Sequence, residues 1–304
     1  MPTFTGTLKI LALLSILGAA ETAHAEAEGV VGTQPAVTPV ASPPELPPYS
    51  LPWQLRPVTT GHLVRLDTSA AVFNDANGNL NVAVPSFLSA SYQLTPRWAP
   101  VIRLAFVGND APGEATDGSS FVNPLLGATY TRCLGGYRLA LFGAATLPVG
   151  TGGGNAPNLR AAKTNAASAT ARPADEAMFA VDDVTVLAGV DVAYVNHGFT
   201  AQAEATLSQA ARVRGESGDR FRTRAAVGLH LGYFLGSHVS LGADVHYRRD
   251  VTVAFGPRAH FSVGRRGWVR PGLSFVRGLD ARGLDAPLLT AQTTAVMLDL
   301  PVTF

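Results

Sequence analysis

Alternation with a period of two, sustained over segments of ten or more residues, is the feature that most restricts what this chain can fold into. In Val64–Val72 the even positions are apolar or small, while the odd ones include Arg65, Asp67 and Ser69. Val184, Val186, Ala188, Val190, Val192 and Tyr194 alternate with Asp183, Thr185 and Asp191, and Val239, Leu241, Ala243, Val245 and Tyr247 alternate with Ser240, Asp244, His246 and Arg248. A period of two defines a strand with two chemically different faces. Followed along the chain, it predicts about twelve strands, near 62–73, 80–94, 98–108, 120–132, 136–148, 180–195, 198–210, 220–235, 238–248, 251–263, 267–278 and 289–304. Strands in ordinary sheets average about 5–6 residues, whereas strands that cross a bilayer at a tilt need about 9–11. Length therefore selects an all-β fold, an up-and-down antiparallel transmembrane barrel of about 12 strands, over a sandwich.

Composition agrees. The 304 residues are 47% hydrophobic and 15% charged, against about 25% charged in a soluble domain. Past residue 20 no apolar run approaches the roughly 20 residues of a membrane helix, which excludes a helical bundle. A net charge of +1 makes no case for nucleic acid. Cys133, alone, builds no disulfide framework and is assigned no chemistry.

The N-terminal region reads differently. Lys9, the apolar stretch Ile10–Ala20 and the small-x-small trio Ala23-His24-Ala25 form the pattern of a secretory signal peptide over residues 1–25. Residues 26–57 carry Pro35, Pro39, Pro43, Pro44, Pro47 and Pro48 and read as an extended periplasmic tether. The barrel is expected over 58–304.

The connections alternate in length. Long outer loops are expected at Asn74–Asn79, Asn109–Ser119, Val149–Phe179, Ala211–Asp219 and Leu279–Leu288, and short periplasmic turns at Thr95–Arg97, Cys133–Gly135, Asn196–His197, Gly236–Ser237 and Gly264–Arg266. The short Arg249-Asp250 connection breaks the pattern. Tyr92, Trp98, Tyr130, Tyr137, Tyr194, Phe199, Tyr233 and Phe261 all fall near a short turn on the apolar parity, the placement of an aromatic girdle at the headgroups.

The last strand, Val296-Met-Leu298-Asp-Leu300-Pro-Val302-Thr-Phe304, ends on an aromatic after alternate apolar residues. It resembles the C-terminal signature of bacterial outer-membrane β-barrels, although Val302 stands where the family often has an aromatic. The resemblance implies that Phe304 is an assembly signal read by the outer-membrane assembly machinery. Leu139–Gly150 is more loosely similar to porin-like outer-membrane proteins named for a phenol-degradation pathway.

The polar parity supplies the candidate lumen-lining residues: Arg65, Asp67, Arg103, Arg138, Asp191, Glu204, Arg222, Arg224, His230, Asp244, Arg258 and Arg270. Centring one hairpin on Gly236-Ser237 sets His230 opposite Asp244, and centring another near Arg214 sets Glu204 opposite Arg224. Cations slightly outnumber anions, which fits either a polar channel preferring anions or an ion-pair network filling the lumen. Gly228, Gly232, Gly242 and Ala254 on the same parity favour an open path.

Other motifs carry little. Asp75-Ala-Asn77-Gly78-Asn79 lacks the glutamate of a calcium loop and reads as an Asn-Gly turn. Gly150-Thr-Gly152-Gly153-Gly154-Asn155 lacks the lysine and helix of a phosphate loop and reads as a mobile surface loop. No catalytic residue, metal or cofactor is assigned. The function expected is a pore or transporter for small solutes in the outer membrane, in contact with its lipid and lipopolysaccharide and narrowed by the loop at 149–179. Two alternatives stand beside it: a closed structural or surface-recognition barrel whose function lies in its outer loops, and a barrel hydrolase using His230, with Ser240 on the same face, or a loop residue.

Overall fold

A computed structural model of the chain describes residues 49–59, 61–74, 80–110, 118–154, 158–215, 219–248, 251–263, 267–279 and 293–304. The expected signal peptide, the tether up to residue 48 and parts of several connections, including 75–79 and the turn at 264–266, lie outside them.

Fifteen ladder segments make a closed barrel of twelve antiparallel staves. In chain order they are β1 Leu63–Asn74, β2 Leu80–Ser91, β3 Trp98–Asp110, β4 Gly118–Phe121, β5 Leu125–Leu134, β6 Tyr137–Thr146, β7 Asp183–Asn196, β8 Phe199–Arg212, β9 Phe221–Leu235, β10 Val239–Tyr247, β11 Val251–Ala259, β12 Phe261–Val263, β13 Gly267–Val269, β14 Gly272–Leu279 and β15 Thr294–Thr303. Three staves are each built from two segments: β4 with β5, β11 with β12, and β13 with β14. The last break falls at Arg270-Pro271, where proline has no amide to give the ladder. β1 closes on β15, with Leu63 opposite Thr303 and Val72 opposite Thr294. Closure removes both edges, which hydrocarbon requires of any sheet that spans it.

The alternation read from sequence becomes the two faces of the wall. On β9 and β10, Leu229, Leu231 and Leu241 are about half exposed or more (59%, 57% and 48%), while His230 and Asp244 between them are fully buried. An apolar belt of this kind is costly in water, at about 25 cal/mol per Å², and faces lipid without penalty. No described helix is long and apolar enough to cross a membrane; the crossing elements are strands. The aromatics gather at the short-turn end. Trp98 sits 5.1 Å from Tyr130, Tyr137 lies 5.1 Å from Tyr194, and Phe199 pairs with Tyr233 across the ladder. Phe304 stacks on His62 at 5.9 Å.

The short turns differ by one or two residues from expectation. The β5–β6 hairpin turns on Gly135-Gly136 and the β7–β8 hairpin on His197-Gly198. At the latter both central residues have positive φ, 48° and 81°, as a tight turn matching the strand twist demands. The connection of 149–179 is not a free surface loop. Gly150 N donates to Asn123 Oδ1 (2.9 Å) and Gly154 N to Asp182 Oδ1 (2.7 Å). A helix, α1 Leu159–Ala171, follows, capped by the Asn158 side chain. Met178 and Phe179 then bury against Phe87, Val107, Val122 and Phe142 of the wall. Glycine-rich composition suggested mobility, but the side chains of Asn123, between β4 and β5, and Asp182, just before β7, tie these amides down.

Candidate functional site

The inward face is dominated by a segment outside the ladders. Tyr49, Leu51, Trp53, Leu55 and Val58 are each at most 4% exposed. All but Val58 lie at the end of the stretch expected as a tether, and the wall binds this segment through a series of hydrogen bonds. Asp244 Oδ2 accepts the backbone amides of Trp53 and Gln54, both at 2.7 Å. Glu204 Oε2 accepts the amide of Arg56 (2.8 Å), and Thr200 Oγ1 that of Ser50 (3.1 Å). Arg65 Nη2 donates to the carbonyls of Pro52 and Trp53 (3.1 and 2.9 Å), and Arg270 Nη1 to that of Tyr49 (3.2 Å). The Tyr49 hydroxyl donates to Gln202, and burial pushes this phenol above its ordinary pKa. The Arg258 guanidinium lies 4.1 Å from the centre of the Trp53 ring, within cation–π range.

Glycines in the wall make room for this segment. A methyl group on Gly228 would come within 2.9 Å of Leu55, and on Gly232 or Gly272 it would collide with Ser50 or Trp53. Ala254 packs in one cluster with Trp53. The small inward residues were expected to leave an open path; instead the space is filled by the chain itself.

A second group of charges joins the 149–179 connection to the wall. Asp175 pairs with Arg103 and Arg172, and Arg172 Nη1 also donates to Asp67 Oδ1 at 2.8 Å. Arg103 and Arg172 both stack on Phe87, at 4.4 and 4.7 Å. Burial alone would raise the Asp175 carboxyl, but the guanidiniums of Arg103 and Arg172 outweigh it and hold it below the ordinary carboxylate range. Burial alone would lower the Arg172 pKa; Asp67 and Asp175 outweigh it and raise it. Glu176 pairs with Arg224 and Arg248. Between this group and the bound segment remains a cavity of about 160 Å³, lined by Leu55, Arg56, Arg103, Phe142, Asp175 and Met178 among others.

The structure places the sequence-derived candidates as follows. His230 stands opposite Asp244, with Nδ1 2.5 Å from Asp244 Oδ1 and Nε2 3.1 Å from the Ser50 carbonyl. Arg65 and Arg258 share Asp299, at 2.9 and 2.6 Å. Arg222 pairs with Asp183. Arg138 lies over the Tyr49 ring at 5.4 Å. Glu204 is not opposite Arg224: it faces Gly228, and Arg224 faces Ser208. The β8–β9 hairpin is centred two residues beyond Arg214, which slides the register by four. Glu204 and Asp191, opposite each other on β7 and β8, are served by Arg56 instead. Arg56, Trp53 and Tyr49 are thus the site residues that sequence reasoning missed. Their signal was present, since Tyr49, Leu51, Trp53 and Leu55 alternate with a period of two inside a stretch read as proline-rich spacer.

Neither ring nitrogen of His230 is free for a nucleophile, and the Ser240 hydroxyl bonds His260 Nε2 at 2.8 Å. Among the described residues no group of three His, Cys, Asp or Glu side chains converges as metal ligands would.

No protein-family model matches this chain, and neither does any curated protein sequence. The loose likeness of Leu139–Gly150 to the phenol-degradation-pathway proteins therefore gains no support. Among solved structures the chain is similar to an outer-membrane channel from Pseudomonas putida F1, at 13% identity, over 86% of this chain and 98% of that one, with a TM-score of 0.52. It is also similar to the NanC porin (10% identity, 79% and 98% coverage, TM-score 0.46). The KdgM porin, solved in complex with disordered oligogalacturonate, shows 7% identity, 79% and 99% coverage and a TM-score of 0.46. The likeness is one of fold: a membrane-spanning antiparallel β-barrel of the kind outer-membrane channels have.

Proposed function

We propose that the protein is an outer-membrane channel for small solutes, closed in this conformation by its own residues Tyr49–Val58. The observation that supports this most is the seat of that segment. Its backbone and its Arg56 side chain are held by hydrogen bonds and ion pairs to side chains of the wall, beside the buried Leu51, Trp53 and Leu55, while the ladder of the barrel closes without it. A lumen filled for stability alone is better served by well-packed apolar side chains, because buried ion pairs seldom repay their desolvation. A segment bound by side chains that water can also satisfy is one that can leave.

In this reading the barrel is not an enzyme, and the lumen charges Arg65, Asp191, Glu204, His230, Asp244 and Arg258 hold the segment when it is in and line the path when it is out. The connection at 149–179 narrows the other part of the lumen through Asp175 and Arg172. Residues 1–25 export the chain, residues 26–48 tether the segment in the periplasm, and Phe304 is read by the assembly machinery. The outer surface meets lipid and lipopolysaccharide.

Planar-bilayer recordings test it. Wild type is expected to be mostly closed, and a variant lacking Tyr49–Val58 to show large, long-lived conductance. A deletion variant that assembles, shifts on gels between heated and unheated samples, and carries no current would assign the barrel to the closed structural alternative.

A further inference from the structure

The position of Arg56 is unlike the rest of the closing segment. Most of the segment is held through its backbone, whereas Arg56 is held both through its backbone and through its charged side chain, which enters a pocket of the wall. Nη1 lies 3.2 Å from Glu204 Oε1, Nε 3.5 Å from Asp191 Oδ2, and Nη2 donates to Thr206 Oγ1 at 2.7 Å. One face of the guanidinium lies on the Phe142 ring, 4.6 Å from its centre. Gly189 stands beneath it, where any side chain would meet Nη2. Two carboxylates, a hydroxyl, an aromatic face and a glycine floor therefore surround one planar cation.

We propose that this pocket is the solute-binding site of the channel, a site for guanidinium-bearing solutes, and that Arg56 is its tethered occupant. The inference rests on the channel reading above. Asp191 and Glu204 are direct partners across the β7–β8 ladder and only 1% and 8% exposed. Among the described residues neither oxygen of Asp191 accepts a hydrogen bond, and Arg56 supplies its ion pair. When the segment leaves, two carboxylates face each other with no guanidinium between them, an arrangement relieved when a cation enters or when one carboxyl takes up a proton. The spread of acceptors and the stacking face suit a guanidinium, which is planar and weakly hydrated, better than a compact ammonium or a metal ion.

Two measurements test the pocket separately from the channel. In the variant lacking Tyr49–Val58, L-arginine is expected to interrupt the single-channel current at concentrations about tenfold lower than L-lysine does, the preference expected of a site matched to the planar fork. Asp191→Asn with Glu204→Gln in that variant should abolish the difference. A conducting deletion channel that arginine and lysine block alike would overturn the proposal. The second measurement needs no current. In full-length Arg56→Ala the pocket is vacated, and millimolar guanidinium chloride should raise the unfolding temperature in detergent, whereas sodium chloride at equal ionic strength should not. Arg56→Ala combined with Asp191→Asn and Glu204→Gln should lose that response. Absence of guanidinium stabilisation in Arg56→Ala overturns the pocket even if the channel conducts, whereas a silent deletion channel with intact stabilisation counts against the channel reading alone.

Discussion

The carboxylate of Asp244 accepts the backbone amide of Trp53 at 2.7 Å, and its second oxygen meets His230. Asp244 is fully buried, so this carboxylate is solvated by the closing segment and one histidine rather than by water. With Gln54 it accepts two amides of the segment. Whatever frees Trp53 must give Asp244 other donors, and water filling the lumen supplies them. In the proposed gating, closure and hydration of the lumen exchange donors on the same carboxylate.

Asp244→Ala should open the channel. Hydrogen bonds to charged groups contribute about 1.5–3 kcal/mol each, so losing two weakens seating by about 3 kcal/mol or more. That corresponds to roughly a hundredfold shift in the closed-to-open ratio. Single-channel open probability reads this directly, and an unchanged, closed channel would remove Asp244 from any role in gating.

Gly272→Leu should have the same effect by shape. A side chain there meets the Trp53 ring and lies against Arg258, so the segment cannot seat. Gly143→Ala is the matched control, because nothing lies within 4 Å of the added methyl. Both variants are expected to assemble and to shift on heating in gels; only Gly272→Leu should raise the conductance. Closed recordings from an assembled Gly272→Leu barrel would show that Trp53 does not block the path.

The wall of the barrel was legible in sequence because side-chain period and strand length are local properties. Val239–Tyr247 reveals both faces on its own, and the tight turn at Gly236 carries the register far enough to pair His230 with Asp244. Glu204 failed for a physical reason. The residues between Arg212 and Phe221 offer turn signals at both Gly215 and Ser217-Gly218 and so fix no single centre; parity survives such a connection while register does not. The occupant of the lumen was hidden differently. Prolines at 52 and 57 forbid a regular element, and a segment that satisfies its amides with distant side chains leaves no local hydrogen-bonding pattern to read. The glycines facing it were visible, but an inward glycine indicates only that something approaches closely, and here that something is Ser50, Trp53 and Leu55.

The latch between the 149–179 connection and the wall should respond to acid and not to neutral pH. Asp175 is held below the ordinary carboxylate range by Arg103 and Arg172 against the cost of burial. A lowered folded pKa contributes stability that is fully present above the unfolded value of about 3.9 and is lost as pH falls through the folded value. Proteolysis of residues 149–179 should therefore be flat between about pH 5 and 8 and rise only below about pH 4. Asp175→Asn should be loosened across the whole range, with the two arginines left sharing Asp67. A step near pH 6–7 that survives Asp175→Asn would assign the latch to another group.

The arginines of the lumen should separate by burial rather than by their shared parity. Arg258 is 2% exposed and donates to Asp299, itself fully buried, while its face covers Trp53. Removing one member of a buried pair costs about 3–5 kcal/mol, because the partner keeps its charge without compensation. Here Arg65 also reaches Asp299, which places Arg258→Gln toward the lower end. Arg222 pairs with the buried Asp183 from a side chain 30% exposed, and Arg212 also reaches that carboxylate at 3.6 Å, so losing Arg222 should cost less than losing Arg258. Arg258→Gln should therefore lower the temperature of the heat shift on gels and, by uncovering Trp53, also raise the conductance. Arg222→Gln should change neither by much. While the segment is in place it blocks the path, so neither replacement should move the reversal potential far toward cations. Equal losses of stability in the two variants would mean that the lumen solvates them alike. A strong selectivity shift in the closed wild-type background would mean that ions pass beside the segment rather than through the space it leaves.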